Sequence, residues 1–285
     1  MGSQSGDKQN PPREARALSA ESNGEAPGRG RLADRRILVV GGGQQAFDAG
    51  TDPIGNGRAM SLLCAREGAT VAVADLVRAS ADETVAQIER GGGRGFSFAA
   101  DVSLEADVER MFEEAHAALG GLDGLVLNAG IVPSALGLAQ VRVADWDRTL
   151  AVNLRGPMLC CRSALERLDR GSPIVFISSI AALRSGSSLP AYDASKAALG
   201  GLMRHVAREG ARRGIRANTV CPGVVDTPLG RRTGAARISR NAAAVPLARM
   251  ATAWEVAYAV LFLLSDESVY VSAQSLAVDG GITGV

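Results

Sequence analysis

An apolar run leads directly into three glycines at Ile37-Leu38-Val39-Val40-Gly41-Gly42-Gly43, and this segment carries the clearest indication of the fold. A short aliphatic run without polar alternation is typical of a strand that is buried on both faces of a sheet. A second glycine group, Gly55-Asn56-Gly57, begins a segment of helical spacing that continues to Glu67. Glycines permit tight turns and the close approach of backbone N–H groups to a phosphate. The stretch therefore predicts a strand, a turn and a helix that can bind a nucleotide diphosphate.

Six further short runs rich in apolar residues follow along the chain, at 71–74, 95–100, 125–127, 174–177, 217–220 and 276–278. The segments between them, such as 81–90 and 105–119, are long enough for helices that connect one parallel strand to the next. The pattern predicts an α/β fold, a single doubly wound parallel sheet of about seven strands with helices on both faces. Ligands of such sheets bind beyond the carboxyl ends of the strands, so the residues after each run are candidate site residues.

The chain divides into a short N-terminal segment and one long domain. Residues 1–30 have almost no apolar periodicity, and we expect them to form a flexible tail. Residues 31–285 contain no second linker and no internal repeat, which predicts a single domain. The 285-residue chain has 46% hydrophobic and 21% charged residues, a composition typical of globular proteins.

The charges almost cancel, because 31 Lys and Arg against 30 Asp and Glu leave a net charge of +1. This balance argues against nucleic acid or an anionic membrane surface as the main partner. The longest apolar stretch, 257–264, is far shorter than the roughly 20 residues that cross a bilayer. We therefore expect a soluble, cytoplasmic protein. We also expect no metal site, since the four cysteines and two histidines lack the spacing of metal ligands. The cysteines are expected to be reduced and packed in the core.

Polar or very small residues follow three of the predicted strands. Asp75 ends the second strand, about 20 residues after Gly57, where a carboxylate can accept hydrogen bonds from both hydroxyls of an adenosine ribose. Asp101-Val102 follows the third strand and Asn128-Ala129-Gly130 the fourth. A helix N-cap is the alternative role for Asp75 and for Asp101, and a turn-stabilising role is the alternative for Asn128.

Lys196 is one of only two lysines in the chain, and it follows Tyr192 by four positions. This spacing places both side chains on one face of a helix. A phenol titrates near pH 10, so it needs a neighbouring cation to act as an acid or base near neutrality. The pair therefore predicts a tyrosine with a lowered pKa. A surface lysine on an amphipathic helix is the alternative.

Two serines, Ser178 and Ser179, end the fifth predicted strand. One of these hydroxyls can donate a second hydrogen bond to a substrate oxygen that faces the tyrosine. Serines at a strand end are also common turn residues, and their position alone does not choose between the two roles.

In order and spacing, these features resemble the short-chain dehydrogenase/reductase family from Arg36 to the C-terminus. The similar features are the glycine-rich turn at 41–57, Asp75, Asp101-Val102, Asn128-Ala129-Gly130, Asn153, the serine, the Tyr-x-x-x-Lys motif at 192–196, and Pro222-Gly223 followed by Thr227. The resemblance implies a Rossmann-like fold, a nicotinamide cofactor, a small alcohol or ketone substrate, and a homotetramer or homodimer.

The resemblance also implies a role for each site residue. Tyr192 would be the general acid/base, and the family's spacing from serine to tyrosine selects Ser179 to orient the substrate oxygen. Lys196 would lower the pKa of Tyr192 and bind the nicotinamide ribose, while Asn153 would support a proton-relay water. The implied cofactor-binding residues are Gly41, Gly55, Asn56, Gly57, Asp75, Asp101, Val102, Asn128, Ala129, Gly130, Tyr192, Lys196, Pro222, Gly223, Val225 and Thr227.

The chain departs from the family pattern in its glycine-rich turn. Val40 replaces a threonine, Asn56 stands where an aliphatic residue is common, and residues 42–54 form an insertion where the family has a much shorter turn. The entropic cost of closing a loop grows only slowly with its length, so we expect residues 44–52 to form a flap over the cofactor that leaves the site intact. The sequence does not decide which glycine of 41–43 makes the close contact.

These features predict an oxidoreductase that transfers a hydride between NAD(H) and a secondary alcohol or ketone. The alternatives are an NADP-dependent reductase of 3-oxoacyl thioesters and, more distantly, a catalytically silent nucleotide-binding scaffold. NAD is expected over NADP because Asp75 would repel the additional phosphate and Leu76 supplies no cation. Residues 229–245 are expected to cover the substrate, and their arginines either bind an anionic substrate or form a solvated helix face.

Overall fold

The computed structural model describes residues 18–45, 52–133, 137–184, 187–234 and 245–284, with only the backbone in 232–234. The strands are β1 (Arg36–Val40), β2 (Thr70–Asp75), β3 (Arg94–Ala99), β4 (Gly124–Leu127), β5 (Pro173–Ile177), β6 (Arg216–Pro222), β7 (Val225–Asp226), β8 (Ala251–Thr252) and β9 (Ser275–Val278). The main sheet is parallel, with seven strands in the order β3-β2-β1-β4-β5-β6-β9. Each predicted strand is present in it, so the predicted fold is confirmed. β7 and β8 form a separate short ladder.

Helices cover both faces of the sheet. They are α1 (Ala20–Asn23), α2 (Asn56–Arg66), α3 (Arg78–Arg90), α4 (Glu105–Leu119), α5 (Val143–Leu150), α6 (Gly156–Arg167), α7 (Pro190–Gly210), α8 (Pro228–Gly234) and α9 (Ala253–Leu264). One apolar layer contains buried residues of α2, α3 and α9, and the other contains buried residues of α4, α6 and α7.

The central strand β1 shows why its sequence is apolar without alternation. Leu38 and Val40 pack in the layer with α4, α6 and α7, whereas Ile37 and Val39 pack in the opposite layer. All four side chains are buried, because helices lie on both sides. The strand order changes direction between β1 and β4, which opens a crevice at the carboxyl edge of the sheet.

Residues 18–30 pack against the domain, which differs from the expected flexible tail. Gly24 packs on the ring of Trp254, and a Cβ on Gly24 would come within 2.1 Å of that ring. The buried carboxylate of Glu67 accepts the backbone N–H of Arg29 at 2.9 Å. These contacts join residues that are far apart in the sequence, so periodicity could not reveal them. The first part of the predicted tail, 1–17, lies outside the described residues.

The four cysteines, Cys64, Cys160, Cys161 and Cys221, are buried as free thiols. Burial raises the pKa of the Cys64 and Cys160 thiols to about 12, which makes them poor nucleophiles. Within the described ranges, no helix is long and apolar enough to span a membrane.

Candidate active site

The turn after β1 and the start of α2 form a tight cradle. Gly41 adopts a φ of +79°, which favours glycine, and a Cβ on it would lie 2.5 Å from the backbone nitrogen of Ala129. A Cβ on Gly57 would lie 1.9 Å from the carbonyl oxygen of Gly41. Asn128 donates from Nδ2 to that same oxygen at 2.7 Å. Gly41 is therefore the glycine of the triplet whose backbone conformation the turn requires, and Asn128 stabilises the turn.

Asp75 lies beside this cradle at the end of β2. Its Oδ2 accepts the N–H of Gly43 at 3.1 Å, and its Oδ1 accepts the N–H of Val77 at 3.1 Å. A Cβ on Gly43 would lie 2.7 Å from Oδ2, so only glycine lets the turn approach the carboxylate this closely. The N-cap position of α3 is Val77, and the N-cap alternative for Asp75 is therefore wrong.

Asp101 and Val102 follow β3 at the same edge. Asp101 accepts the N–H and the hydroxyl of Ser103 at 2.9 and 2.7 Å, which makes a turn before α4. The N-cap residue of α4 is Leu104, so the N-cap alternative for Asp101 is also wrong. Val102 is buried and packs against Gly156. A Cβ on Gly156 would lie 2.9 Å from Cγ2 of Val102.

Two adjoining cavities lie along this edge. The shared lining residues are Asn56, Asn128, Gly130, Thr227 and Leu229. The first cavity contains the glycine cradle, Asp75 and Asp101. Oδ1 of Asn56 is buried without a hydrogen-bond partner among the described residues. A nicotinamide dinucleotide fits these residues, because its diphosphate needs a cradle without Cβ atoms and its sugar hydroxyls can satisfy free acceptors.

The second cavity contains the predicted catalytic side chains. Tyr192 lies in the first turn of α7 and lines this cavity together with Ser179, which follows β5 and lies close enough to the phenol to lower its pKa. Lys196 follows one helical turn later and is only 5% exposed, so the surface-lysine alternative is wrong. Its Nζ donates to the carbonyl oxygen of Ile177 at 2.9 Å and lies 5.6 Å from the centroid of the Tyr192 ring. One strand end and one helix start thus bring the three groups together.

The two serines at the end of β5 have different partners. Ser178 donates its hydroxyl hydrogen to the backbone carbonyl of Lys196 at 2.8 Å and is buried. Ser179 accepts the N–H of Ala181 at 3.1 Å and contacts Tyr192. Ser178 therefore anchors α7, while the hydroxyl of Ser179 lies beside the phenol.

Burial controls the ionisation of the pair. It raises the pKa of Tyr192 above its ordinary value of 10.0. The nearby hydroxyl of Ser179 offsets part of this rise, and the charge of Asp193 adds to it. Burial also lowers the pKa of Lys196 to about 8. The raised pKa of Tyr192 differs from the expected lowering, because the loss of phenolate solvation outweighs the stabilising contacts. At neutral pH the pair is a phenol beside an ammonium, which are the protonation states that favour proton donation to a carbonyl oxygen.

Asn153 lies in a π-helical turn, Ala151–Arg155, between α5 and α6. It is fully buried. Its Oδ1 accepts the N–H of Ile131 at 2.8 Å, and its Nδ2 donates to the carbonyl oxygen of Ile131 at 2.9 Å. A Cβ on Gly130 would lie 3.4 Å from both the Asn153 amide oxygen and the Lys196 Nζ. Single-turn π-helical segments occur often at functional sites, and this one holds the backbone after β4 beside α7.

The segment after β6 borders the second cavity, which is also lined by Pro222, Gly223, Val225 and Thr227. Gly223 allows a close approach, because a Cβ there would lie 2.7 Å from the Cα of Asp279. Thr227 accepts the N–H of Gly230 through Oγ1 at 3.0 Å, which fixes the start of α8.

The two segments predicted to cover the site lie partly outside the described residues. These are positions 46–51 of the predicted cofactor flap and positions 235–244 of the segment expected to cover the substrate. In the described part, Arg231 makes two hydrogen bonds with the carboxylate of Asp226, at 2.6 and 2.8 Å. Because the Asp226 carboxylate neutralises the Arg231 charge, this pairing argues against a role for Arg231 in binding an anionic substrate. Arg237 and Arg240 lie outside the described residues.

Sequence reasoning missed two residues of the first cavity region. Gln44 lies near the start of the insertion and its side chain bonds to Pro53 and Gly55 at the other end, and no spacing rule could have identified it. Arg58 is half-buried beside α3, donates from Nε to Thr84 at 3.0 Å, and lies within electrostatic range of Asp75. Its position directly after Gly57 could have suggested a cation near the cofactor.

A family profile described as enoyl-(acyl carrier protein) reductase matches residues 53–283 of the chain. The protein 2-(S)-hydroxypropyl-CoM dehydrogenase 3 of Xanthobacter autotrophicus is 37% identical over 266 residues, which cover 90% of this chain and 99% of that protein.

Two solved structures are similar over most of the chain. A short-chain dehydrogenase/reductase from Serratia marcescens is 29% identical with a TM-score of 0.81, covering 89% of this chain and 100% of that one. A blue fluorescent protein from a metagenomic library, in complex with NADPH, is 32% identical with a TM-score of 0.80, covering 89% and 100%.

Proposed function

We propose that this protein interconverts a secondary alcohol and a ketone with NAD(H). The chain belongs to the short-chain dehydrogenase/reductase family and is an oxidoreductase that acts on CH–OH groups. The observation that carries the proposal is that Ser179, Tyr192 and the buried Lys196 line one cavity, with Ser179 close enough to the Tyr192 phenol to lower its pKa. These groups line a cavity that adjoins the glycine cradle. A phenol, a hydroxyl and an ammonium in that arrangement serve proton transfer at a carbonyl oxygen.

Each residue has a defined proposed role. When bound, the nicotinamide dinucleotide supplies a hydride to the carbonyl carbon or accepts one from the alcohol carbon. During reduction, Tyr192 donates its phenolic proton to the carbonyl oxygen, and Ser179 donates a hydrogen bond to that oxygen. During oxidation, the phenolate of Tyr192 accepts the proton of the alcohol. Lys196 stabilises this phenolate by its charge, and Asn153 positions the backbone beside α7.

An assay with NADH and NADPH, each against a panel of uncharged ketones and 3-oxoacyl thioesters, tests the proposal. We expect dinucleotide oxidation with at least one ketone. Preferential turnover of a 3-oxoacyl thioester would support the NADP-dependent reductase instead. Binding of a dinucleotide without turnover of any substrate would favour a silent scaffold.

The proposed preference for NAD rests on Asp75. Backbone N–H groups hold both of its oxygens at the end of β2, in the cavity that contains the glycine cradle. A phosphate on the adenosine ribose would place a second negative charge near this carboxylate. Arg58 is the nearby cation, but its Nε donates to Thr84 and its Nη2 lies 3.5 Å from the carbonyl oxygen of Ser80. Two donor atoms of Arg58, Nε and Nη2, therefore face α3 rather than such a phosphate.

Asp75→Ala is expected to relax the preference for NADH. Wild-type kcat/KM should favour NADH by about 10- to 100-fold, since the avoided repulsion is on the order of 1 to 3 kcal/mol. Asp82→Ala is a matched control, because Asp82 is an exposed carboxylate of α3 that pairs with Arg78. Steady-state kinetics with both dinucleotides measure the ratio. A wild-type preference for NADPH would contradict the assignment.

We also propose a homodimer or homotetramer in the cytoplasm, with the domain spanning 31–285. The helices around 146–168 and 192–213 are expected to pack across two-fold axes. Sedimentation at micromolar concentration should give a mass above the 29.4 kDa of one chain, and a purely monomeric species would contradict the assembly.

A further inference from the structure

Gln44 connects the two ends of the insertion. Its side-chain Oε1 accepts the N–H of Gly55, the N-cap residue of α2, at 2.8 Å. Its Nε2 donates to the carbonyl oxygen of Pro53 at 3.3 Å. One amide therefore closes the loop at the point where the chain returns to α2.

The backbone of Gln44 is held just as closely to α3. Its N–H donates to Oγ of Ser80 at 2.6 Å, and its carbonyl oxygen accepts from the same hydroxyl at 2.8 Å. The preceding residue, Gly43, donates to Asp75, and a Cβ on Gly43 would lie 2.5 Å from Oγ of Ser80. The turn after β1 is thus tied to α3 beside Asp75 and to the start of α2.

We propose that Gln44 is a cofactor-positioning residue, which sets the glycine cradle relative to Asp75 and thereby compensates for the long insertion. This inference rests on the proposed function, since it concerns the same dinucleotide. A short turn would fix the spacing between Gly41 and Gly57 by its own length, whereas a long loop leaves that spacing open. Gln44 restores it with side-chain bonds to Pro53 and Gly55. The residue does not touch the reacting atoms.

The contacts predict a specific kinetic signature. Without the Gln44 amide, the first turn of α2 and the turn after β1 lose their direct connection, so the diphosphate and ribose positions are no longer matched. Dinucleotide affinity depends on this match, whereas proton transfer at Tyr192 does not. A change at Gln44 should therefore raise Kd and KM for NADH and leave kcat close to the wild-type value.

Gln44→Ala tests the proposal, with Gln87→Ala as the matched control. Gln87 is a glutamine of α3 whose amide donates to Glu83 on the same helix. Fluorescence titration with NADH should show Kd raised about tenfold in Gln44→Ala and unchanged in Gln87→Ala. Steady-state kinetics should show the same increase in KM without a comparable loss of kcat. Equal NADH affinity in wild type and Gln44→Ala would overturn the proposal.

Variants of Ser80 provide an independent arm if Gln44→Ala does not fold. Ser80→Ala removes the hydroxyl that bonds to the Gln44 backbone, and we expect weaker NADH binding, whereas Ser80→Thr keeps the hydroxyl and should restore it. Unchanged affinity in Ser80→Ala would count against the proposal. If wild-type protein binds neither NADH nor NADPH, the proposed function itself fails. Binding by wild type with no effect of Gln44 or Ser80 variants refutes only the positioning role.

Discussion

Tyr192→Phe should lower kcat by about 10²- to 10⁴-fold while the Kd for NADH stays within a few-fold of wild type. The substitution keeps the aromatic ring, which lies 5.6 Å from the Lys196 Nζ, and removes only the hydroxyl. That hydroxyl lies in the same cavity as Ser179, where a carbonyl oxygen would receive its proton.

Two measurements separate this loss from a general defect. NADH titration should show that the cradle still binds the dinucleotide, and thermal unfolding should show that the fold remains intact. Tyr258→Phe is the matched control, because Tyr258 lies on α9 in the opposite helix layer and its hydroxyl faces no predicted catalytic group. Near-normal turnover by Tyr192→Phe with a genuine substrate would show that another group performs the acid/base chemistry.

The main sheet could be predicted from sequence because its local patterns agree with its final environment. β1, β4 and β5 are buried on both faces, so their apolar runs are unbroken, and glycine or polar residues follow them. The packing of the N-terminal segment could not be predicted in this way. Ser22 bonds to Glu255, 233 positions further along the chain, and such a contact leaves no periodic signal.

The parts of the site that could be predicted are those in which the sequence spacing of two residues determines their proximity. Tyr192 and Lys196 are four positions apart on one helix, so their proximity follows from helical geometry. The burial of Asn153 does not follow from spacing, because its place depends on a π-helical turn packed under Ile131. The contacts of Gln44 depend on how a loop closes, and loop closure is determined by three-dimensional contacts rather than by residue pattern.

The raised pKa of Tyr192 shows a further limit of sequence reasoning. A lysine one helical turn away predicts stabilisation of the phenolate, but the sequence does not reveal the cost of burying that charge. In the structure, Lys196 also directs Nζ to the carbonyl oxygen of Ile177, and its own pKa falls to about 8. The same burial therefore destabilises the charged forms of both residues.

Lys196→Arg should lower kcat and weaken NADH binding, each by at least about tenfold, although the positive charge is retained. Lys196 is almost fully buried, with Gly130 close to Nζ and the Ile177 carbonyl as its acceptor. A compact ammonium fits this space, whereas a planar guanidinium is too wide for it. Arg204→Lys, an exchange at an exposed position of α7, is the control for changing a cation on this helix.

The pH dependence provides the second test of Lys196. With its pKa lowered from 10.5 to about 8, the ammonium is present below pH 8 and is lost as the pH rises through that value. If the charge contributes to dinucleotide binding, the wild-type Kd for NADH should increase above about pH 8. An arginine keeps its proton throughout this range, so Lys196→Arg should bind NADH weakly but without that pH step. A wild-type Kd that is constant from pH 6 to 10 would show that the Lys196 charge does not hold the cofactor, and unchanged activity in Lys196→Arg would exclude the proposed role in catalysis.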